Sequence, residues 1–251
     1  MTTFNQAQYD DFCGKPLDLY AQTKYDILLE YLAGRRGLRI LNAGCGSGEL
    51  SLRLAAAGHT VVGIDPEPRY VELARRNAAA QSDADCSFVV ATIEDYRGEA
   101  EFDCAVSTDV LEHIADDRTA FDRLVRLVRP GGLVLLTVPA GRWLFGYHDE
   151  VLGHYRRYTA SSLRQLVSGA CTVHEVRHFG FSLIPVCYLF SKLLRRPYPM
   201  PQQGPTGRRS LGTHVLNWVL QIDRRLPVPL GTSLLLKGTR NPPARVETRA
   251  A

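Results

Sequence analysis

Leu38-Arg39-Ile40-Leu41-Asn42-Ala43-Gly44-Cys45-Gly46-Ser47-Gly48-Glu49-Leu50 is the stretch that decides how this chain folds. Residues 38–43 are a short apolar, β-rich run, and from Gly48 onward helix formers with apolar spacing of three and four take over. Three glycines therefore stand where a strand meets a helix, where they allow a sharp turn and a close approach of backbone to a ligand. Asp65 ends the next apolar run, 21 residues after Gly44, a position from which an acid accepts hydrogen bonds from both hydroxyls of a ribose. Together they imply a nucleotide-like ligand.

Outward from this loop, strand-like and helix-like segments alternate. Strands are predicted at 38–43, 60–64, 87–91, 102–107 and 132–138, with helices at 48–57, 67–80 and 116–128. Pro130-Gly131-Gly132 is expected to end the last of these helices. Such alternation predicts an α/β fold with a mostly parallel sheet covered by helices on both faces. A further helix is predicted within 16–33, a helix and a strand follow Ser161, and about fifty residues separate that strand from a last one at SLLLKGTR.

Composition sets the limits. The 251 residues are 45% hydrophobic and 22% charged with a net charge of +4, which fits a globular domain and excludes a disordered or fibrous chain. Apolar runs stop short of the ~18–20 residues needed to span a bilayer, and the N-terminus lacks a basic, apolar leader, so a cytoplasmic location is expected. Six scattered cysteines without a C-x-x-C pair read as free thiols, and no His/Cys cluster at metal spacing is visible, so no metal is expected. Lysine occurs only at 15, 24, 192 and 237, the other 26 positive charges being arginine, a bias read as compositional. Nucleic acid is not expected as a substrate, because no basic stripe interleaved with aromatics occurs.

Four ordered motifs fill residues 38–139: the glycine loop with Asp65; Ala91-Thr92-Ile93-Glu94-Asp95; Ser107-Thr108-Asp109-Val110-Leu111-Glu112-His113; and Arg129-Pro130-Gly131-Gly132. In this combination the chain resembles the class I S-adenosylmethionine (SAM) dependent methyltransferases. The resemblance implies a Rossmann-like class I methyltransferase fold, α/β, with a seven-stranded mostly parallel sheet and a helical lid insertion. It implies SAM as cofactor and S-adenosylhomocysteine as product. Gly44, Gly46 and Gly48 would contact the methionine and ribose, Asp65 the ribose and Ile93 the adenine, while Thr108 and Asp109 would line the floor near the methyl. Pro66, Glu94 and His113 complete the expected cofactor-binding set. Asn42 and Thr92 stand where the family most often has acids, and both can still hydrogen-bond. The expected organisation is an N-terminal helical cap at 1–33, a SAM-binding core at 34–180 and 231–240, a lid at 181–230 and a disordered tail at 241–251. The G-x-G-x-G spacing disfavours a dinucleotide oxidoreductase, whose loop reads G-x-G-x-x-G.

The segment after the fifth strand carries the acceptor chemistry, because loops at the carboxyl ends of parallel strands line the ligand crevice. Within it His148 and His154 are candidate bases for a hydroxyl acceptor, and Asp149 could orient one of them. Trp143, Arg156, Arg157, Tyr158 and, from the N-terminal segment, Tyr9 are candidate substrate contacts. The two arginines either clamp an anionic group or pair with acids on the neighbouring helix. The stretch HDEVLGHYRRYT resembles a bacterial subgroup of these methyltransferases that accompanies glycan, polyketide or lipid pathways. The expected activity is methyl transfer to a small molecule, acidic or apolar, most readily on oxygen. Alternatives are a membrane-touching ubiquinone-type O-methyltransferase, N- or C-methylation, and a SAM-binding regulator without transfer chemistry. Peripheral membrane contact through the lid, and a monomer or a homodimer, both stay open.

Overall fold

The computed structural model describes residues 18–81, 84–196 and 211–242. Tyr9, the Pro/Gly segment of the insertion and residues 243–251 of the expected tail lie outside them. Among the described residues, seven strands form one sheet: β1 (Arg39–Ala43), β2 (Thr60–Asp65), β3 (Cys86–Val90), β4 (Phe102–Thr108), β5 (Val128–Pro139), β6 (Cys171–Phe179) and β7 (Ser233–Arg240), in the order β3-β2-β1-β4-β5-β7-β6. The first five run parallel, and β7 is antiparallel to both β5 and β6. β6 therefore points the same way as β5, and the chain leaves it on the edge where the glycine loop lies.

Helices are α1 (Leu19–Tyr31), α2 (Glu49–Ala56), α3 (Pro68–Ala79), α4 (Asp117–Leu127), α5 (Tyr147–Leu152), α6 (Ala160–Val167), a single turn α7 (Ile184–Cys187) and α8 (Leu211–Arg225). Strand periodicity sorts them onto two faces. Ile40, Val61, Cys104, Val106, Leu133 and Leu135 pack with Tyr25 and Leu28 of α1 and Leu50 and Leu54 of α2. Their neighbours Leu41, Val62, Ala105, Val134 and Leu136 pack on the other face with Phe121 and Leu124 of α4 and Leu163 of α6. Both sides of the central strands are thus dry, which is why they read as continuous apolar runs.

Two local expectations are corrected. Pro130-Gly131-Gly132 does not end α4, because the helix stops at Leu127 and Val128 is already extended. The register jumps from Phe102↔Val128 to Cys104↔Leu133, so Arg129–Gly132 bulge out of β5. A Cβ on Gly132 would lie 2.8 Å from the Asp103 carbonyl oxygen, so the bulge needs glycine there. In the insertion, the helix-like apolar run is three short windings: a 3-10 turn (Phe181–Leu183), α7, and a π-helix (Tyr188–Leu194). It docks on the loop after β5, where Ser191 accepts a bond from the His148 backbone N–H at 3.1 Å. A Cβ on Gly146 would lie only 2.7 Å from the Ser191 Oγ.

Candidate active site

Strand order places the crevice between the ends of β1 and β4, where successive connections leave in opposite directions. The glycine loop forms one wall. Gly44 has φ +74°, and a Cβ there would sit 2.2 Å from the Val110 Cγ2 of the opposite wall. Gly48, at φ +80°, precedes α2 and offers no side-chain cap, which leaves the first N–H groups of the helix without a side-chain partner at the crevice.

Asp65, 6% exposed, sits across this loop. Its Oδ2 accepts the Gly46 N–H and its Oδ1 the Glu67 N–H, each at 3.0 Å. Those bonds fix the carboxylate and leave each oxygen a further lone pair, the requirement for gripping a vicinal diol. Burial pushes its pKa up to about 6, against the pull of the two backbone N–H groups.

Asn42 is buried in β1 and donates to the Ser51 Oγ at 2.9 Å, while its Oδ1 has no partner among the described residues. Flipping the amide would leave the NH2 open instead. A buried polar atom is thus available for a ligand's donor or acceptor, as it is at the Ser107 hydroxyl. These features fit a nucleoside with a polar tail.

The adenine side is less complete. Ile93 is buried, but the Thr92 hydroxyl donates to the Asp95 carboxylate at 2.9 Å and accepts its N–H at 3.0 Å, closing its own turn. Glu94 is exposed and lines a surface depression with Arg97, Arg123 and Arg126. Pro66 lies exposed beside Asp65.

The second wall is the turn after β4. Asp109 is held at φ +54° by its N–H to the Thr137 carbonyl (2.9 Å) and by the Thr137 hydroxyl on its Oδ1 (3.1 Å). Its other oxygen is ion-paired to Lys24 of α1, a side chain only 6% exposed. Lys24 was not expected at the site. Its signal was present, because positions 21, 24, 25 and 28 form the inward stripe of α1, and a lysine stands on it in a chain that uses arginine almost everywhere else.

Next along the turn, Glu112 is fully buried and neither carboxylate oxygen has a partner among the described residues. Burial first, then the charge of Asp109, raises its pKa well above the usual carboxylate range. His113 is pushed down to about 4, chiefly by burial and then by His154. Its ring meets that of His154 edge to face, centroids 4.5 Å apart.

His154 comes from the loop after β5. Its Nδ1 lies 2.8 Å from the Asp149 Oδ1, an atom that also accepts the Arg157 Nε–H at 2.8 Å, while Asp149 Oδ2 takes the Gly146 N–H at 3.0 Å. Burial alone would raise Asp149, but His154, Arg157 and the Gly146 N–H outweigh it and hold the carboxyl below its ordinary range. Asp149 therefore orients His154. His148 meets the lid through its backbone N–H, which donates to the Ser191 Oγ at 3.1 Å.

Three of the expected substrate contacts have partners within the protein. Arg157 is buried on Asp149, Arg156 pairs with Asp117 at 2.6 Å, and the buried Tyr158 gives its hydroxyl to the same Asp117 at 2.7 Å. Pairing, not an anion clamp, uses these groups. Trp143 remains half exposed, 6.1 Å from the Tyr188 ring of the lid.

With this geometry in place, residues 41–136 match the family profile described as a methyltransferase domain. The core is a class I methyltransferase fold. A ubiquinone biosynthesis O-methyltransferase of Methylocella silvestris is 42% identical over 122 residues, 48% of this chain and 43% of that protein. The chain spans about half the length of the curated relatives it matches. Among solved structures, a SAM-dependent methyltransferase from Mesorhizobium loti superposes with a TM-score of 0.61 at 18% identity, covering 88% of this chain and 100% of that one. Magnesium protoporphyrin IX methyltransferase of Synechocystis, crystallised with SAM, gives 0.57 at 16% identity, covering 89% and 81%.

Proposed function

We propose that this chain is a SAM-dependent methyltransferase that methylates a hydroxyl oxygen of a small molecule. The observation that carries the reading is the Asp65 carboxylate, fixed by two backbone N–H groups beside a glycine loop that only glycine can form. Asp65 and Pro66 hold the ribose, Gly44, Gly46 and Gly48 face the methionine and ribose, the open polar atom of Asn42 and the Ser107 hydroxyl meet polar groups of the same ligand, and Ile93 packs the base. Bound SAM supplies a sulfonium methyl open to in-line displacement: an oxygen–carbon bond forms, the sulfur–carbon bond breaks, and the bonding pair returns to sulfur. The acceptor hydroxyl is activated at His154, whose Nδ1–H is held by Asp149 so that Nε2 keeps its lone pair. Asp109, pinned by Lys24 and Thr137, walls the floor below. The name of the curated relatives supports oxygen as the methylated atom.

Calorimetry with SAM, followed by methyl-labelled SAM in an extract of the producing organism, tests the reading. One labelled, base-stable O-methyl product is expected. Absence of SAM and S-adenosylhomocysteine binding, with no change on Asp65→Ala, would sink it.

A membrane-touching version is favoured by one observation: Phe181, Val186, Leu189 and Leu193 of the insertion are exposed beside Lys192 and Arg195. No helix among the described residues is long and apolar enough to cross a membrane. Co-sedimentation with anionic vesicles, lost on Leu193→Glu, separates surface attachment from a freely diffusing enzyme.

A further inference from the structure

We propose that Ser191 of the insertion is a positioning residue for the base: its hydroxyl completes the cap of α5 and thereby sets Asp149, which holds His154. The inference rests on His154 as the proton acceptor proposed above, and it makes the seating of the insertion a condition for that role.

α5 is a helix of six residues, too short to keep its shape without outside contacts. Its N-cap position is Gly146, which has no side chain to accept the first N–H groups of the helix. Asp149 makes one half of a capping box, taking the Gly146 N–H at 3.0 Å. The hydroxyl for the other half stands 43 residues beyond His148, where the Ser191 Oγ accepts the His148 N–H at 3.1 Å. Ser191 is buried, and its Oγ fills the space that a Cβ on Gly146 would need. Glycine at the cap and serine in the insertion are therefore complementary.

The winding that carries Ser191 is a π-helix, a rare form that occurs most often at functional sites. It ends at Arg195 with φ +48°, a left-handed conformation that strains any residue with a side chain. From there the guanidinium reaches Glu150 at 3.2 Å and lies 5.8 Å from the centre of the Tyr147 ring, both in α5. The insertion thus grips the one helix that carries the orienting acid. Asp149 in turn faces the His154 Nδ1 at 2.8 Å. Arg157 restrains the same carboxylate oxygen, but it does not restrain the backbone turn beneath it. Without the Ser191 oxygen the His148 N–H loses its acceptor, the first turn of α5 loosens, and Asp149 has no fixed position from which to hold one tautomer of His154.

The tautomer of His154, read by nitrogen NMR on the full chain with isotope-labelled histidine, is the direct test. Wild type is expected to show His154 with its proton on Nδ1 alone, and Asp149→Asn marks the signal of the disturbed ring. Ser191→Ala should mix in the other tautomer. It should also lower the maximal rate of label transfer from methyl-labelled SAM in the organism's extract about tenfold, the scale of one lost helix cap. The half-saturating amount of extract and the SAM affinity should stay within about twofold. Moving the hydroxyl onto α5 itself, in Gly146→Ser combined with Ser191→Gly, should restore the single tautomer and the rate, which a general loss of packing would not allow. An unchanged tautomer in Ser191→Ala, no recovery in the double variant, or a loss that appears only in the half-saturating amount overturns the role. Tautomer mixing in a protein that binds no SAM would retain the coupling and remove the methyltransferase reading instead.

Discussion

The two walls of the crevice are built differently. The cofactor wall is backbone held in place by glycine geometry and by one acid at a strand end, all between Asn42 and Glu67. The acceptor wall is side chain, drawn from α1, the turn after β4 and the loop after β5; its ion pairs are Lys24 with Asp109 and Arg157 with Asp149, while the buried Glu112 has no partner among the described residues. The first wall should therefore break through backbone substitutions and the second through the removal of one charge.

The largest effect is expected at Asp149. Replacing it by Asn leaves Arg157 charged and buried, which costs about 3–5 kcal/mol and lowers the melting temperature by roughly 10 °C. Calorimetry at low temperature should still find SAM binding intact. Loss of SAM affinity in the folded variant would show that the walls are not separable.

Next comes Gly44→Ala. Its Cβ meets Val110 and its φ is left-handed, a strain of about 1–2 kcal/mol before any steric overlap. SAM affinity should fall about 100-fold, which corresponds to about 2.7 kcal/mol.

Asp65 predicts a pH dependence. Its pKa is raised from 3.8 to about 6 by burial, so in the ligand-free protein its contribution to stability is present below pH 3.8 and lost as pH rises through 6. SAM binding runs the other way, because ribose hydroxyls donate to the carboxylate. Affinity should be about tenfold weaker at pH 5 than at pH 7, and Asp65→Asn should flatten the profile. An unchanged slope in that variant would exclude Asp65 as the titrating group.

Lys24→Met should cost about 1–2 kcal/mol, since Asp109 loses its partner but keeps partial access to water, and chemical denaturation measures it. Smallest of all, Arg156→Ala removes a partly exposed pair with Asp117, worth about 1 kcal/mol or less. A larger loss of activity than of stability there would restore Arg156 as a substrate contact.

How far the residues alone carried the reading follows the same division. The strand runs at 38–43 and 132–138 and the acid at the end of β2 were legible, because continuous apolar runs and glycine spacing are local properties. The bulge at Arg129–Gly132 was not, since it depends on Asp103 of the neighbouring strand. The π winding after Cys187 depends likewise on where Ser191 meets Gly146. His154 and Asp149 were visible as candidates, but the bond between them was not. Arg156 and Arg157 could be read as clamp or pair until Asp117 and Asp149 were placed beside them.

By itself the sequence determined the class of fold and the cofactor loop, because both are written in short-range spacing that a backbone must obey wherever it folds. Only the tertiary structure decided the acceptor wall. Glu112 and His113 stand about forty residues before His154, and Lys24 far earlier still. Sheet order alone brings them to one crevice, and burial there leaves Glu112 without the water or partner that it would have in an unfolded chain.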